Sequence, residues 1–189
     1  LIAMQENVVR LDEKIECRGG YYYGKRGRKL GCHEHKSPIN LQGGIAKSCN
    51  TYFCNVYKRV IEKYNTPQKG IDNWKNHLTS FGLGNYLGYD LSVGSKGKIP
   101  SSKTYDAKYP NNNWYATATI SNAIGQGEVL LTPIQMANFT AAIANRGWWV
   151  RPHMIKNIQD HDTIAKKFKH INKTSIDSKY FEPIIEGMH

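Results

Sequence analysis

Three segments of the chain repeat apolar side chains at intervals of three and four, and nothing alternates for long enough to build a complete sheet. That pattern limits the fold to a helical framework with short strands and long ordered loops. The clearest helix spans 132–147. Thr132 is a strong N-cap, Pro133 takes the first helical position, Gln135 completes a capping box and Gly147 is a natural C-cap. Ile134, Ala137, Ala141 and Ala144 line one narrow face, with Phe139 and Ile143 beside it, so the alanines are expected to let another element approach closely. A second helix is predicted over 50–64, with an amphipathic stripe of Tyr52, Phe53, Val56, Tyr57, Val60 and Ile61, ended by Thr66-Pro67. A third spans 70–81, with Ile71, Trp74, Leu78 and Phe81 on one face and Gly82 and Gly84 as its stop.

The remaining segments carry weaker signals. Val8, Val9 and Leu11 suggest a short strand, or the approach to one, within residues 1–16. Residues 17–35 are rich in Gly, Tyr and Arg and close on Cys-His-Glu-His, which reads as a loop or irregular hairpin. Ile39, Leu41, Ile45 and Ala46 suit one or two helical turns. Residues 84–115, with Pro100 and Pro110, read as a long surface excursion of a kind that usually has a functional reason. Trp148, Trp149 and Val150 enter a strand, 154–159 continue extended, 160–175 form a polar loop, and 178–188 begin a helix with Phe181, Ile184 and Ile185 inward. There is no internal repeat. The expected class is α/β, mostly the helical part of a larger domain, and both ends fall inside patterned sequence as in a piece cut from a longer chain.

Charge narrows the partners. The chain has 189 residues and a formal net charge of +11, and its first 70 residues hold 13 of the 26 Lys and Arg. An excess of this size points to an anionic polymer, an anionic surface or a basic proteome. The run Lys25, Arg26, Arg28, Lys29 follows three tyrosines, a combination that also suits single-stranded nucleic acid. No zinc-finger, RRM or helix-turn-helix pattern accompanies it, so no nucleic-acid partner is expected and the run reads as a solvated hairpin tip. No stretch of 18 apolar residues is present to cross a membrane, and Leu-Ile-Ala-Met-Gln-Glu is not a signal peptide.

Ser48-Cys49-Asn50 lies where the short helix hands over to the long one. A hydroxyl that passes a proton and an amide that holds a carbonyl or a lysine can both face one cleft from such a junction, although either residue can equally be a plain helix cap. Its surroundings, Ala46-Lys47-Ser48-Cys49-Asn50-Thr51-Tyr52-Phe53, resemble the SxN segment of penicillin-binding protein transpeptidases of the elongation-specific (PBP2) type. Ala123-Ile124-Gly125-Gln126-Gly127 through Thr132-Pro133-Ile134-Gln135-Met136-Ala137 is similar to that family's IGQG…TPxQMA stretch almost letter for letter, and Ala141 to Gly147 resembles its continuation. Phe81-Gly82-Leu83-Gly84, Gly88-Tyr89-Asp90-Leu91, Gly97-Lys98-Ile99-Pro100 and Glu186-Gly187-Met188 match further family segments, in order. Ser92-Val93-Gly94, where Pro and Glu often stand, and Glu128, in place of an aromatic, are departures.

The resemblance implies part of a penicillin-binding transpeptidase or serine β-lactamase-like fold, occupying 1–189, with a Cys/His loop at 17–35 and the long loop at 84–115. It implies a parent enzyme that cross-links peptidoglycan by serine acyl transfer on D-Ala-D-Ala stem peptides. Ser48 maps to the SxN serine, a proton relay toward the leaving amine. Asn50 maps to the SxN asparagine, which contacts the substrate amide and the nucleophile's lysine. The implied partners are the stem peptide, β-lactams, a glycan polymerase and cell-shape scaffold proteins, on the periplasmic face of the inner membrane with the parent held by one N-terminal helix. A β-lactam sensor domain and a noncatalytic wall-binding module are the alternatives.

The family's other two motifs are not found in place. Ser95-Lys96-Gly97-Lys98 fits SxxK as letters but follows the SxN segment and lies in a Gly-rich stretch. Lys103-Thr104-Tyr105 lacks the glycine of KTG, and Lys173-Thr174-Ser175 has no strand pattern around it. Both motifs are therefore expected outside these residues, and the 189 residues alone are expected to be inactive, because a nucleophile needs its base within hydrogen-bond reach.

Cys17, Cys32, His35 and Cys49 form a last constellation. Three thiolates and an imidazole suit tetrahedral zinc. No cofactor is needed for the chemistry itself, so such a metal would be structural. The resemblance implies the same, since some members hold a zinc beside the active site: His35 and Cys49 match two of its ligand positions, and Cys17 and Cys32 stand near two others where carboxylates occur. A Cys17–Cys32 disulfide, His33 in place of His35, and plain buried thiols are the other readings. Cys54 is expected in the core.

Overall fold

A computed structural model describes residues 1–24, 27–90, 93–155 and 166–189. The basic pair Lys25 and Arg26, the family-like Leu91 and Ser92, and residues 156–165 of the expected extended and polar stretches lie outside the described residues.

The framework is two long helices packed face to face. Helix α3 (Asn50–Glu62) buries Thr51, Tyr52, Cys54, Tyr57, Val60 and Ile61, and α4 (Pro67–Ser80) buries Gly70, Ile71, Trp74 and His77. The predicted stripe of α3 is thus the core face, with Phe53 and Val56 half-buried at its margin and Cys54 fully enclosed. Helix α4 starts three residues earlier than expected. Thr66-Pro67 does not merely end α3. The Thr66 hydroxyl accepts from the Lys69 N–H at 3.3 Å and Pro67, which has no N–H to satisfy, opens the next helix.

The two helices cross at Gly70, where a Cβ would lie 2.0 Å from the Ile61 carbonyl oxygen. Because the obstacle is backbone, it cannot swing aside. Gly70→Ala is expected to destabilise the chain by about 2 kcal/mol, despite alanine's better helix propensity, and a thermal melt followed by circular dichroism measures this. Beside the crossing, Tyr57 and Trp74 meet edge to face at 5.4 Å. The Tyr57 hydroxyl donates to Thr119 Oγ1 at 2.9 Å and so ties α3 to the 3-10 segment Ala116–Ile124.

Smaller elements surround this pair. The expected strand near the N-terminus is a helical turn, α1 (Ile2–Gln5); only Ile15 makes a β-bridge, to Ile39. The Tyr-rich stretch is a hairpin, β1 (Gly20–Tyr23) against β2 (Arg28–Gly31), in antiparallel register Gly20↔Gly31 to Tyr23↔Arg28. Helix α2 (Leu41–Ala46) is capped by the Asn40 side chain. The excursion at 84–115 is less superficial than expected: it contains α5 (Ser102–Asp106) and sends Leu87, Ile99, Tyr105 and Trp114 into the core. Strands β3 (Trp148–Val150) and β4 (Ile171–Lys173) pair antiparallel, so a strand stands where a polar loop was expected, and α7 (Glu182–Met188) closes the chain with Phe181 and Ile184 inward.

Helix α6 (Pro133–Ala144) has the predicted capping box, with reciprocal Thr132–Gln135 bonds of 3.0 and 3.3 Å. Its inward face, however, is Gln135, Asn138, Ala142 and Ile143, while Ala137, Ala141 and Ala144 are exposed. The reason is polar satisfaction. Gln135 Nε2 donates to the carbonyls of Asn85 and Lys96 at 2.8 and 2.9 Å, and Asn138 Nδ2 to that of Phe81 at 2.9 Å. Buried loop carbonyls need donors more than alanine methyls need burial.

One buried charge organises the other flank. Glu6, 8% exposed, accepts from Lys63 Nζ (2.6 Å), Tyr64 (2.8 Å), Asn73 (2.9 Å) and His77 Nε2 (2.8 Å). Burial alone would raise its carboxyl, but the donors Lys63, His77, Tyr64 and Asn73 outweigh it and hold it at about 2. His77 Nδ1 then meets Ser175 Oγ at 2.7 Å, which joins α1, α3 and α4 to the residues after β4.

Candidate functional site

Helix α2 ends in a Schellman motif. The Ser48 N–H donates to the Ile45 carbonyl and the Cys49 N–H to that of Gly44, each at 2.9 Å. Ser48 therefore occupies the left-handed position, with φ +45°, where glycine is usual. A non-glycine residue held there by the surrounding packing is a candidate for function. The next residue reverses roles: Cys49 is the N-cap of α3, its Sγ accepting from the Tyr52 N–H at 3.3 Å. The two helices can meet so closely because Gly44 leaves no Cβ against the Tyr52 ring, which would lie 2.9 Å from one. Ser48 is exposed, Cys49 fully buried and Asn50 half-buried. Asn50 Nδ2 donates to the Gly31 carbonyl at 2.8 Å, fastening the start of α3 to the end of β2.

Cys49 leads directly to the metal candidates. The ligand atoms of Cys17, Cys32, His35 and Cys49 lie within 4.8 Å of one another, drawn from before β1, after β2 and the N-cap of α3. No disulfide forms: Cys17 and Cys32 are free thiols. His33 is not in the cluster; its ring packs edge-on against His35, 5.8 Å away.

The geometry fits a tetrahedral ion. Metal–sulfur bonds of about 2.3 Å and metal–nitrogen bonds of about 2.0–2.1 Å, at tetrahedral angles, place sulfurs about 3.8 Å apart and sulfur and nitrogen about 3.6 Å apart. The Cys32–Cys49 sulfurs are 3.9 Å apart and Cys32 Sγ is 3.6 Å from His35 Nε2. The tautomer is also suited. His35 Nδ1 lies 2.8 Å from the Lys36 carbonyl, an acceptor only, so Nδ1 carries the proton and the Nε2 lone pair faces the cluster.

The thiols titrate apart. For Cys17, burial is outweighed by bonds from Thr51, the Gly19 backbone and the neighbouring thiols, and its thiol falls to about 7; burial pushes Cys49 up to about 12. Sulfurs packed this tightly can all be thiolates only with a cation between them. A Cys3His cluster capable of coordinating a metal is therefore present, closed at four protein ligands.

The letter-matches to the other motifs lie elsewhere. Ser95 stands in a loop with its Oγ accepting from the Gly97 N–H, not at the start of a helix. Lys173 does lie on a strand, β4, contrary to expectation, but Ser175 turns away to His77 and Ser80. The Glu6–His77–Ser175 chain had no local signal in the sequence, since its members are 71 and 98 residues apart.

The chain as a whole is similar to known proteins. The profile of the penicillin binding protein transpeptidase domain matches residues 1–189. Peptidoglycan D,D-transpeptidase MrdA of Acinetobacter baumannii is 34% identical over 118 residues, 62% of this chain and 16% of its own. MrdA of Salmonella typhimurium is 31% identical over 127 residues, 67% of this chain and 19% of its own. The matched part is thus under a fifth of these relatives' length. Among solved structures, Pseudomonas aeruginosa PBP2 in complex with WCK 5153 superposes with a TM-score of 0.80 at 25% identity, covering 99% of this chain and 39% of that one. Helicobacter pylori PBP2 in complex with MreC shares the fold, with a TM-score of 0.74 at 24% identity, over 99% and 32%.

Proposed function

Because the chain belongs to the penicillin-binding protein transpeptidase family, we propose that it forms one wall of the active site of a peptidoglycan D,D-transpeptidase, with Ser48 and Asn50 as the groups that meet substrate. The observation that carries this reading is the junction itself. A serine in a left-handed position normally taken by glycine stands exposed between two helix ends, two residues from an asparagine anchored to the hairpin. In the parent enzyme an acylating serine and its lysine complete the cleft from the other side. The Ser48 hydroxyl passes the proton to the leaving amine, and the Asn50 amide holds the substrate amide carbonyl.

The metal in this reading is zinc. Its four ligands clip the loop before β1 and the turn after β2 to the first residue of α3, so the metal sets where Ser48 and Asn50 stand and takes no part in acyl transfer. The parent is placed on the periplasmic face of the inner membrane, with stem peptides and β-lactams as ligands and a glycan polymerase and cell-shape scaffold as partners. Among the described residues no helix is long and apolar enough to cross a membrane.

The test is acylation of the parent by a fluorescent penicillin, with turnover of a stem-peptide substrate. Ser48→Ala and Asn50→Ala are expected to slow acyl transfer by about a hundredfold or more, the scale of lost proton relay and oriented hydrogen bonds. The 189 residues alone should form no covalent adduct. Unchanged rates in both variants, or a stoichiometric adduct on the isolated chain, would overturn the reading.

A further inference from the structure

An open cleft of about 270 Å³ separates the hairpin from the stretch between α5 and the 3-10 segment. Its floor is Trp114, 3% exposed, whose Nε1 donates to Asp106 Oδ1 at 2.8 Å and whose ring packs 5.1 Å from that of Tyr105. Tyr109 and Tyr115 form one wall, and Tyr23 and Arg28 the other. Tyr23 is steadied by stacking on Tyr21, at 6.2 Å and 16°. The floor and one wall are thus fixed before any ligand arrives. Tyr115 is 69% and Tyr109 36% exposed, so the two rings that line this side of the cleft are both open to solvent.

The lining selects a chemistry. Aromatic faces with polar tips receive the C–H face of a sugar ring while their hydroxyls bond its rim. The planar Arg28 guanidinium matches a carboxylate. A chain of net charge +11 draws an anionic polymer toward it. Single-stranded nucleic acid, which asks for a row of cations along its phosphates, is the competing occupant, and titration separates it from the glycopeptide.

The position adds direction. Arg28 begins β2, and Gly31 at its other end accepts the Asn50 amide. Three strand residues span roughly 10 Å, about the reach of a short peptide leaving a sugar.

We propose that this cleft is a binding site for the acidic glycopeptide strand of peptidoglycan, taking the saccharide against Tyr109 and Tyr115 and a stem carboxylate on Arg28, so that the peptide is led along β2 toward Asn50. The inference rests on the transpeptidase reading above and names a specificity determinant for it outside the catalytic junction.

Calorimetric titration of the 189-residue chain with uncross-linked disaccharide pentapeptide tests it, beside the free pentapeptide and a single-stranded oligonucleotide. Arg28→Gln and Tyr115→Ala both change exposed side chains, and circular dichroism checks that each variant is folded. Each is expected to weaken glycopeptide binding by about tenfold, the scale of a lost contact residue, and Tyr115→Ala should leave the sugar-free peptide unaffected. Absence of glycopeptide binding, tighter binding of the oligonucleotide, or variants that bind like the parent sequence would each overturn the proposal. Binding that falls with Asn50→Ala but not with Arg28→Gln would reject the cleft and leave the active-site reading standing, while that reading fails on its own in the acylation assay.

Discussion

Chelating zinc away from Cys17, Cys32, His35 and Cys49 is expected to lower the midpoint of thermal unfolding by about 10 °C. A ligand bound only by the native state stabilises it by about 4 kcal/mol when present at a thousand times its dissociation constant. A domain of this size moves by about 2–4 °C per kcal/mol. The effect should be large because the four ligands come from three separated stretches, so losing the ion frees the hairpin and the N-cap of α3 together. Calorimetry with zinc, with chelator, and on Cys32→Ser measures it. Cys32 is the informative ligand to change, since Cys49 is also a helix cap and fully buried. If the zinc-treated and chelated proteins melt together, and Cys32→Ser melts with them, the metal reading is wrong.

Glu6→Gln is expected to cost about 3 kcal/mol. The carboxyl sits at about 2 against an ordinary 4.5, and each unit is about 1.4 kcal/mol of preference for the charged form in the native state. The amide that replaces one oxygen would face Lys63, Tyr64, Asn73 or His77, all donors toward Glu6, and leave one of them unpaired at a buried site. The sign with pH follows. A depressed carboxyl contributes its stability in full above about 4.5, and that contribution drains away as pH falls toward 2. Denaturant titrations at pH 7 and pH 3 should therefore show the native chain and Glu6→Gln far apart at neutrality and converging in acid. The exposed pair Arg10–Asp12 offers a control: Asp12→Asn should change nothing measurable. A gap that stays constant with pH would refute the charge-based account.

Much of this molecule was legible in the chain. The capping box of α6, the stripe of α3, the hairpin at the tyrosines and the Ser48 junction each depend on residues within a few positions of one another, and such patterns survive in any context that buries the apolar face. The family likeness also lies in contiguous letters. What could not be read were contacts between polar groups far apart in the chain. Glu6 and His77 carry no pattern that joins them. The alanines of α6 looked inward because a small apolar residue is cheap to bury, yet the helix turned Gln135 and Asn138 inward to meet carbonyls from 50 and 57 residues away.

The metal cluster divides the same way. Residue chemistry by itself determined that three thiols and an imidazole could hold a soft ion, and left zinc, disulfide and plain thiols open. Only the tertiary structure decided that Cys17 and Cys32 stay unbridged, that His35 rather than His33 joins them, and that the sulfur spacing suits a tetrahedral ion. The physical reason is range. Helices, caps and turns are settled by neighbours within about four residues, whereas a ligand set or a buried ion network exists only once packing has brought distant segments within a few ångströms.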